Sequence, residues 1–507
     1  MTALRNLLAS LERTSDWLSP IVVKEVRQVV RGREFFYSFM ASLVTAVGIA
    51  FFGAGDALSG SGMSGRWAFG ALSSCLALVG LFIIPLGAFS GLRNERLEQT
   101  LELITLTALT PRRVVIGKLL AQAVKLSTFF AALAPFVAMC FLLGGVDLAT
   151  IALTLFVVFI WSLWASAAGL FLSSLLESRA MAGLAFGGAV ILLMFMFSIG
   201  RVVYMVASFG SVTTFGGTLG PDPWWAMAIM TTACLATMIN FVLLAENRLS
   251  LPTEASVAAL RVGFLAQFLL VVGWTLSFLR SGSPMSSGAA EALGIIGGVH
   301  IALVAMFAVS DDLVVPRPVL LRAGRTLRSP LLAICRPGGA YGAMWVLAQM
   351  GLLLVAAMVF DPGGPALHWF MAICGYICLF TGVPTAIFRT LRPRRAASLK
   401  FRVAVLMLLP FAMSVVLPDL LYYVLWQPEV LDLRFSARHL FNPIRTLANW
   451  DAVEMSGWAA VPLLLGLTGL LAYGILIYVG KTVREQVEPA DPSPAAAAEE
   501  PGSANVY

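Results

Sequence analysis

Residues Leu148 to Ser174 read LATIALTLFVVFIWSLWASAAGLFLSS, 27 positions without a charged side chain. A helix rises about 1.5 Å per residue and needs about 20 mostly apolar residues to cross the hydrocarbon core of a bilayer. This stretch therefore predicts a membrane-spanning helix. On its C-terminal side only Leu176-Glu-Ser-Arg179 separates it from a second apolar run, 180–200. Further outward the same pattern recurs at 35–53, 68–90, 119–143, 224–245, 262–279, 290–309, 341–360, 366–388, 403–425 and 458–480. Prolines inside these runs, such as Pro85 and Pro135, are compatible with helix in a membrane, where neighbouring groups satisfy the freed backbone. The expected fold is an all-α polytopic membrane protein of about 12 transmembrane helices.

Composition agrees. Of 507 residues, 59% are hydrophobic and 12% charged, against roughly 25% charged in soluble domains. So little charge cannot cover a water-soluble globule of this size. The net charge of +7 could suggest nucleic acid, but the placement of the basic residues argues otherwise. With a cytoplasmic N-terminus and every run crossing, 27 of the 34 Lys and Arg fall in inner segments and six in outer ones. The remaining one, Lys125, lies about one turn into the third run. That asymmetry is what the positive-inside rule expects, and it puts both termini in the cytoplasm, with no nucleic-acid partner. The first 35 residues are mixed and charged, so no cleavable signal peptide is expected.

Cys75, Cys140, Cys234, Cys335, Cys374 and Cys378 form no C-x-x-C pair and read as small buried hydrophobes. His300, His368 and His439 are scattered and suggest no metal site.

Three segments outside the runs stand out. In 20–34, Val22, Val26 and Val29, with Val23 and Val30, share one helical face, while Lys24, Arg27 and Arg31 lie elsewhere. This predicts a basic amphipathic helix along the inner membrane surface, in contact with lipid. Segment 426–457 is the longest outer loop; it reads as a cap on the outer face or, preferred, as a simple surface connection. Segment 487–507 is rich in Pro, Ala and Glu and is expected to be a disordered cytoplasmic tail.

The cytoplasmic stretch between the second and third runs reads Leu92-Arg-Asn-Glu95-Arg96-Leu97-Glu98-Gln99-Thr100-Leu101-Glu102-Leu-Ile104, followed by Thr110-Pro111-Arg-Arg113 and Gly117-Lys118. Leu97, Leu101, Ile104 and Ala108 recur at helical spacing. Charges of both signs fill the other faces, and Pro111 ends the pattern. Two readings stay open: a helix that docks a soluble partner through its charges, or a solvated helix held by its own ion pairs.

Glu95-Arg96, three residues, Thr100-Leu101-Glu102, then Pro111 and Gly117-Lys118 resemble the cytoplasmic loop of ABC-2-type ABC transporter permeases, with Gln99 where that family commonly has Gly. The resemblance implies that Glu95, Arg96, Glu98, Thr100, Leu101 and Glu102 couple the chain to an ATPase subunit. It similarly implies an interfacial elbow helix in 20–34, carried by Val22, Lys24, Glu25, Val26, Arg27 and Arg31. It covers residues 20 to about 245 and implies a six-span permease domain at 35–245, after a cytoplasmic N-terminus (1–34). The second six-span bundle, 262–480, has no second copy of the motif. A homodimer in a bacterial inner membrane, working with separate ATPase subunits, is expected.

The chain itself is expected to bind no cofactor and to be no enzyme; ATP is used by the partner. Gly474-Ile-Leu-Ile-Tyr-Val-Gly480-Lys481-Thr482 mimics a phosphate-binding loop but has five residues between its glycines where four are required. Nearly every Asp and Glu sits in loops or at run ends, and Lys125 is near enough to the inner face to snorkel. Gly294-x-x-x-Gly298 reads as a helix-packing contact. Alternatives to the permease are a secondary transporter and a polytopic scaffold or membrane enzyme.

Overall fold

The structure is a computed structural model that describes residues 20–58, 64–97, 110–143, 146, 148–174, 221–250, 257–280, 289–309, 334–360, 365–391, 407, 410–418 and 437–487. Every regular element among them is helical. Among the described residues, eight helices are long and apolar enough to cross a membrane: Arg33–Gly55, Gly65–Glu95, Pro111–Leu142, Ile151–Ser174, Val257–Ser277, Gly339–Val359, Leu367–Thr390 and Ala460–Thr482. This is the make-up of a multi-pass membrane protein. Of the other four runs, 180–200 lies outside the described residues and 403–425 is described only in part. Run 224–245 lies within a longer helix, and 290–309 gives a shorter apolar helix, Leu293–Val309.

The chain divides into two compact units, Met1–Ser256 and Val257–Tyr507. In the first, α1 (Pro20–Arg31) ends at Gly32 and α2 (Arg33–Leu58) follows directly. Next come α3 (Ser64–Leu78), a π-turn (Val79–Ile83) and α4 (Ile84–Leu97). The π-turn has a cause in the sequence. The N–H of Ile84 bonds to the carbonyl of Val79, five residues back. In that register Gly80 O would take the N–H of residue 85, which is a proline and has none. Ser162 supplies the missing donor, its hydroxyl 2.5 Å from Gly80 O.

Pro111, at the first position of α5 (Pro111–Leu142), starts that helix rather than only breaking the one before, because its fixed φ suits N1. The third span thus begins eight residues earlier than its apolar run. Helix α6 (Leu148–Ser174) packs along α4: a Cβ on Gly169 would come within 2.9 Å of Pro85 O. Helix α7 (Pro221–Leu249) packs on α6, with Trp164 Nε1 donating to Thr237 Oγ1 at 2.7 Å and Phe171 stacked on Phe241.

The second unit contains α8 (Val257–Arg280), α9 (Ala289–Val309), α10 (Gly339–Phe360), α11 (Pro365–Leu391), α12 (Pro443–Ala448), α13 (Trp450–Met455) and α14 (Ala460–Val487). Its tightest seam joins α11 to α14. A Cβ on Gly466 would lie 2.7 Å from Gly375 Cα, and one on Gly469 would lie 2.4 Å from Leu379 N. Only glycine permits that approach, as small residues do where helices pack in a bilayer. Tyr473, fully buried beside the seam, hydrogen-bonds Thr381 through its hydroxyl at 2.8 Å. Gly294 and Gly298 are packing positions as expected, pressed against Trp369 and Ile373.

Arg261, one residue before the apolar run 262–279, is buried inside α8. Its guanidinium donates to the carbonyls of Arg336 and Gly338, the latter at 2.9 Å, and reaches Ala308 O at 3.4 Å. One side chain thereby satisfies the end of α9 and the turn before α10. The six cysteines are free, four of them buried, and Cys378 Sγ sits 3.4 Å from Met350 Sδ.

Of the segment 426–457, residues 437–457 are described, and they pack against α11. A 3-10 turn (Ala437–Phe441), α12 and α13 bury Leu440, Trp450 and Val453 against Ala372 of α11. Trp369 Nε1 donates to Leu447 O at 3.0 Å, and Tyr376 Oη donates to Leu440 O. The loop's polar residues bond inward to its own backbone: Thr446 Oγ1 donates to His439 O at 2.7 Å.

Candidate functional site

The amphipathic segment folds as a helix, but its inward face is not wholly apolar. Val22 is buried and Val26 half-buried as expected, whereas Val23 is exposed and Glu25 takes an inward place, 9% exposed. Lys24, Arg27 and Arg31 are exposed. Carrying Glu25 into the interior requires a partner there, and α5 provides it.

Lys118 stands two turns into α5 and is 5% exposed. Its ammonium donates to Glu25 Oε1 at 3.1 Å and to Glu95 Oε1 at 2.8 Å. One cation therefore ties α1 to the last turn of α4. Taking such charges out of water costs several kcal/mol each, and close charge-assisted bonds recover that only while every partner is present. Glu95 lies three residues before the segment 98–109 that runs on to Thr110, the N-terminal flank of α5.

Of the expected coupling residues, Glu95 is placed with its side chain, and the backbone of Arg96 continues α4. Glu98, Thr100, Leu101 and Glu102 lie outside the described residues. Of the expected elbow residues, all six are placed, and Glu25 alone reaches Glu95 through a shared partner.

Beside Lys118 lies a cavity of about 250 Å³. Glu25 and Gln28 of α1, Gly87, Gly91, Asn94 and Glu95 of α4, and Lys118 and Gln122 of α5 contribute to its wall. The glycines make the space: a Cβ on Gly91 would meet nothing within 4 Å. One turn beyond Gln122, Lys125 is 5% exposed, with its ammonium 3.7 Å from a Cβ built on Gly87 and 6.0 Å from the Phe35 ring centre. It points into the protein instead of snorkelling to solvent. Near the same end of the unit, burial pushes the Glu246 carboxyl up, against the pull of Arg112.

Sequence reasoning named Lys118 only as part of a motif and passed over Gln122, Gly87 and Gly91. A signal was present: Lys118, Gln122 and Lys125 follow i, i+4, i+7 spacing in an otherwise apolar stretch and so share one face. The arrangement holds elements together rather than activating a nucleophile. Among the described residues no three His, Cys, Asp or Glu side chains gather to hold a metal ion. Gly474 to Thr482, the phosphate-loop mimic, lies inside the uninterrupted helix α14.

The class defined so far is a multi-pass helical membrane protein with a buried ion-pair joint at one end of its first unit. No family model, no characterised protein and no solved structure matches the chain.

Proposed function

We propose that the chain is the membrane-spanning permease subunit of an ABC-2-type transporter in a bacterial inner membrane. ATP is hydrolysed by separate ATPase subunits that dock on the segment Glu95–Glu102, and the permease works as a homodimer, exporting its substrate. The sequence motif supports the family. The observation that carries the mechanism is Lys118 bridging Glu25 and Glu95. A push on 98–109 is delivered at Glu95, and the buried ion pair passes it to both α5 and the interfacial helix α1 without slack. The second unit is an appended bundle.

The test is co-purification of the tagged, detergent-solubilised chain with a P-loop ATPase, repeated with Glu95, Arg96 and Glu102 replaced by Ala. Capture by the original that weakens in the variants supports the assignment. Well-folded protein that captures no ATPase under several mild conditions overturns it.

A secondary transporter is the second reading, favoured by one observation, the buried ammonium of Lys125. Ionisable groups at membrane depth are costly and mark ion pathways. Substrate uptake or efflux driven by a proton gradient in vesicles without ATP would select this reading.

A further inference from the structure

We propose that residues 437–457 form a re-entrant element that dips below the membrane surface beside α11 and presents Phe441 and Ile444 to lipid acyl chains. The inference rests on the multi-pass reading of the chain and does not depend on the permease reading.

The seam between α11 and α14 sets a depth scale. Gly375 meets Gly466 and Leu379 meets Gly469, so the two helices run in the same direction. Six residues back on each, Trp369 of α11 stands level with Ala460, where α14 begins. Both spans therefore enter the bilayer from the same side and at nearly the same height.

Residues 437–457 directly precede α14 in the chain, yet their contacts with α11 run downward from that height. His368 Nδ1 lies 3.4 Å from Glu454 Oε1, one residue into the span Leu367–Thr390. Trp369 Nε1 holds Leu447 O, and Ala372 lies against Leu440, Trp450 and Val453. Deepest of all, Tyr376 Oη donates to Leu440 O. Tyr376 stands nine residues past Leu367, about 13 Å along the axis. Side chains lean toward the N-terminus of their helix. With a full turn, about 5 Å, allowed for that lean, Leu440 lies about 8 Å below the start of the span. The span has 24 residues and is about 36 Å long, against about 30 Å of hydrocarbon. About 3 Å of each end therefore lies among headgroups, and Leu440 and Phe441 are about 5 Å inside the acyl region.

Irregular backbone is tolerated at that depth only where protein meets its polar groups. Besides Leu440 O and Leu447 O, His439 O takes both the Thr446 hydroxyl and the Asn442 N–H, each at 2.7 Å. Asn442 donates through Nδ2 to Val415 O at 3.1 Å and accepts the Arg445 N–H through Oδ1 at 3.2 Å. The Arg445 guanidinium reaches His439 Nε2 at 3.2 Å. The outward surface changes in step with depth. Phe441 and Ile444, 55% and 57% exposed, belong to the deep end. The exposed side chains around α13, whose Glu454 stands at the start of the span, are mostly polar: Asn449, Asp451 and Ser456 beside Met455. Acyl chains would remove both large apolar groups of the deep end from water.

Phe441→Cys, Ile444→Cys and, on the exposed face of α14, Leu467→Cys are made singly in the full-length chain with Cys75 and Cys234 replaced by Ala. Each is spin-labelled and reconstituted in phosphatidylcholine liposomes. Power saturation then compares collisions with oxygen, which partitions into acyl chains, and with a water-soluble nickel chelate. The labels at 441 and 444 should favour oxygen over nickel as the label at 467 does. A label at 441 or 444 that favours nickel faces water, and one shielded from both reagents is covered by protein, a second copy of the chain included; either result overturns the proposal. A label at 467 that favours nickel would instead overturn the multi-pass reading itself. If one of the two variants does not fold, the other carries the test, since both side chains point outward.

Discussion

Lys118 and Glu25 are 93 residues apart in the chain, and their charged atoms meet at 3.1 Å in the protein interior. The pair spans the whole of two membrane-crossing helices in sequence and closes them into one unit at the end where α1 lies. Because Lys118 also holds Glu95, its removal takes the ammonium from the buried Glu25 and the half-buried Glu95 together. Lys118→Met should lower stability by about 3–5 kcal/mol. Glu25→Gln combined with Lys118→Met should cost less than the sum of the single changes. Unfolding midpoints in detergent for the two single variants and the double variant check this; strict additivity would separate the two residues energetically.

The α11–α14 seam predicts a contrast between glycines on one helix. Gly469→Ala places a methyl 2.4 Å from a backbone nitrogen and should destabilise by about 1–3 kcal/mol, the range for overpacking. Gly474→Ala, where nothing lies within 4 Å, should be neutral or raise the midpoint, since alanine is the better helix former. Thermal unfolding and monodispersity on gel filtration report both.

Arg261→Lys keeps the charge but loses the fork that reaches carbonyls on two segments. Stability should fall by about 1.5–3 kcal/mol, and amide exchange in residues 339–343, at the start of α10, should quicken. Unchanged exchange there would show that the turn holds without its guanidinium.

Glu246 gives a prediction in pH. Its carboxyl is raised in the folded chain by burial, so folding favours the protonated form. The stability this group contributes is present below its unfolded pKa and is lost as pH rises through the folded value. Glu246→Gln should therefore stabilise at pH 7, and the advantage should vanish in acid. Paired melts at pH 7 and pH 4 would show it.

What the sequence made legible follows from what periodicity encodes. Long apolar runs had to become helices, and Leu148–Ser174 did so over its full length. Gly294 and Gly298 could be read as packing positions because spacing alone puts them on one face. The inward turn of Glu25 could not be read, since its partner is fixed by tertiary contact and lies far away in the chain. The same holds for Lys125, whose burial depends on Gly87 leaving room on α4. The fold of 437–455 was hidden for a different reason. Its stability rests on inward hydrogen bonds such as Asn442 Nδ2 to Val415 O, at 3.1 Å, and these leave no periodic trace. Of the candidate site, the residue types were visible early, but the geometry that joins them was not.

The π-turn at Val79–Ile83 has a consequence for angular phase. Each residue of an α-helix advances the azimuth by about 100°, and a wide turn absorbs one extra residue without the rotation it would otherwise bring. Deleting one residue between Val79 and Ile83 would convert the segment to ordinary α-helix of the same length. Insertion of a residue elsewhere in α4 has no such sink and would swing Glu95 by about 100°, off the azimuth of Lys118. The span Gly65–Glu95 thus tolerates a change of length at only one place, and the aim of Glu95 is set there, about three turns away from the charge itself.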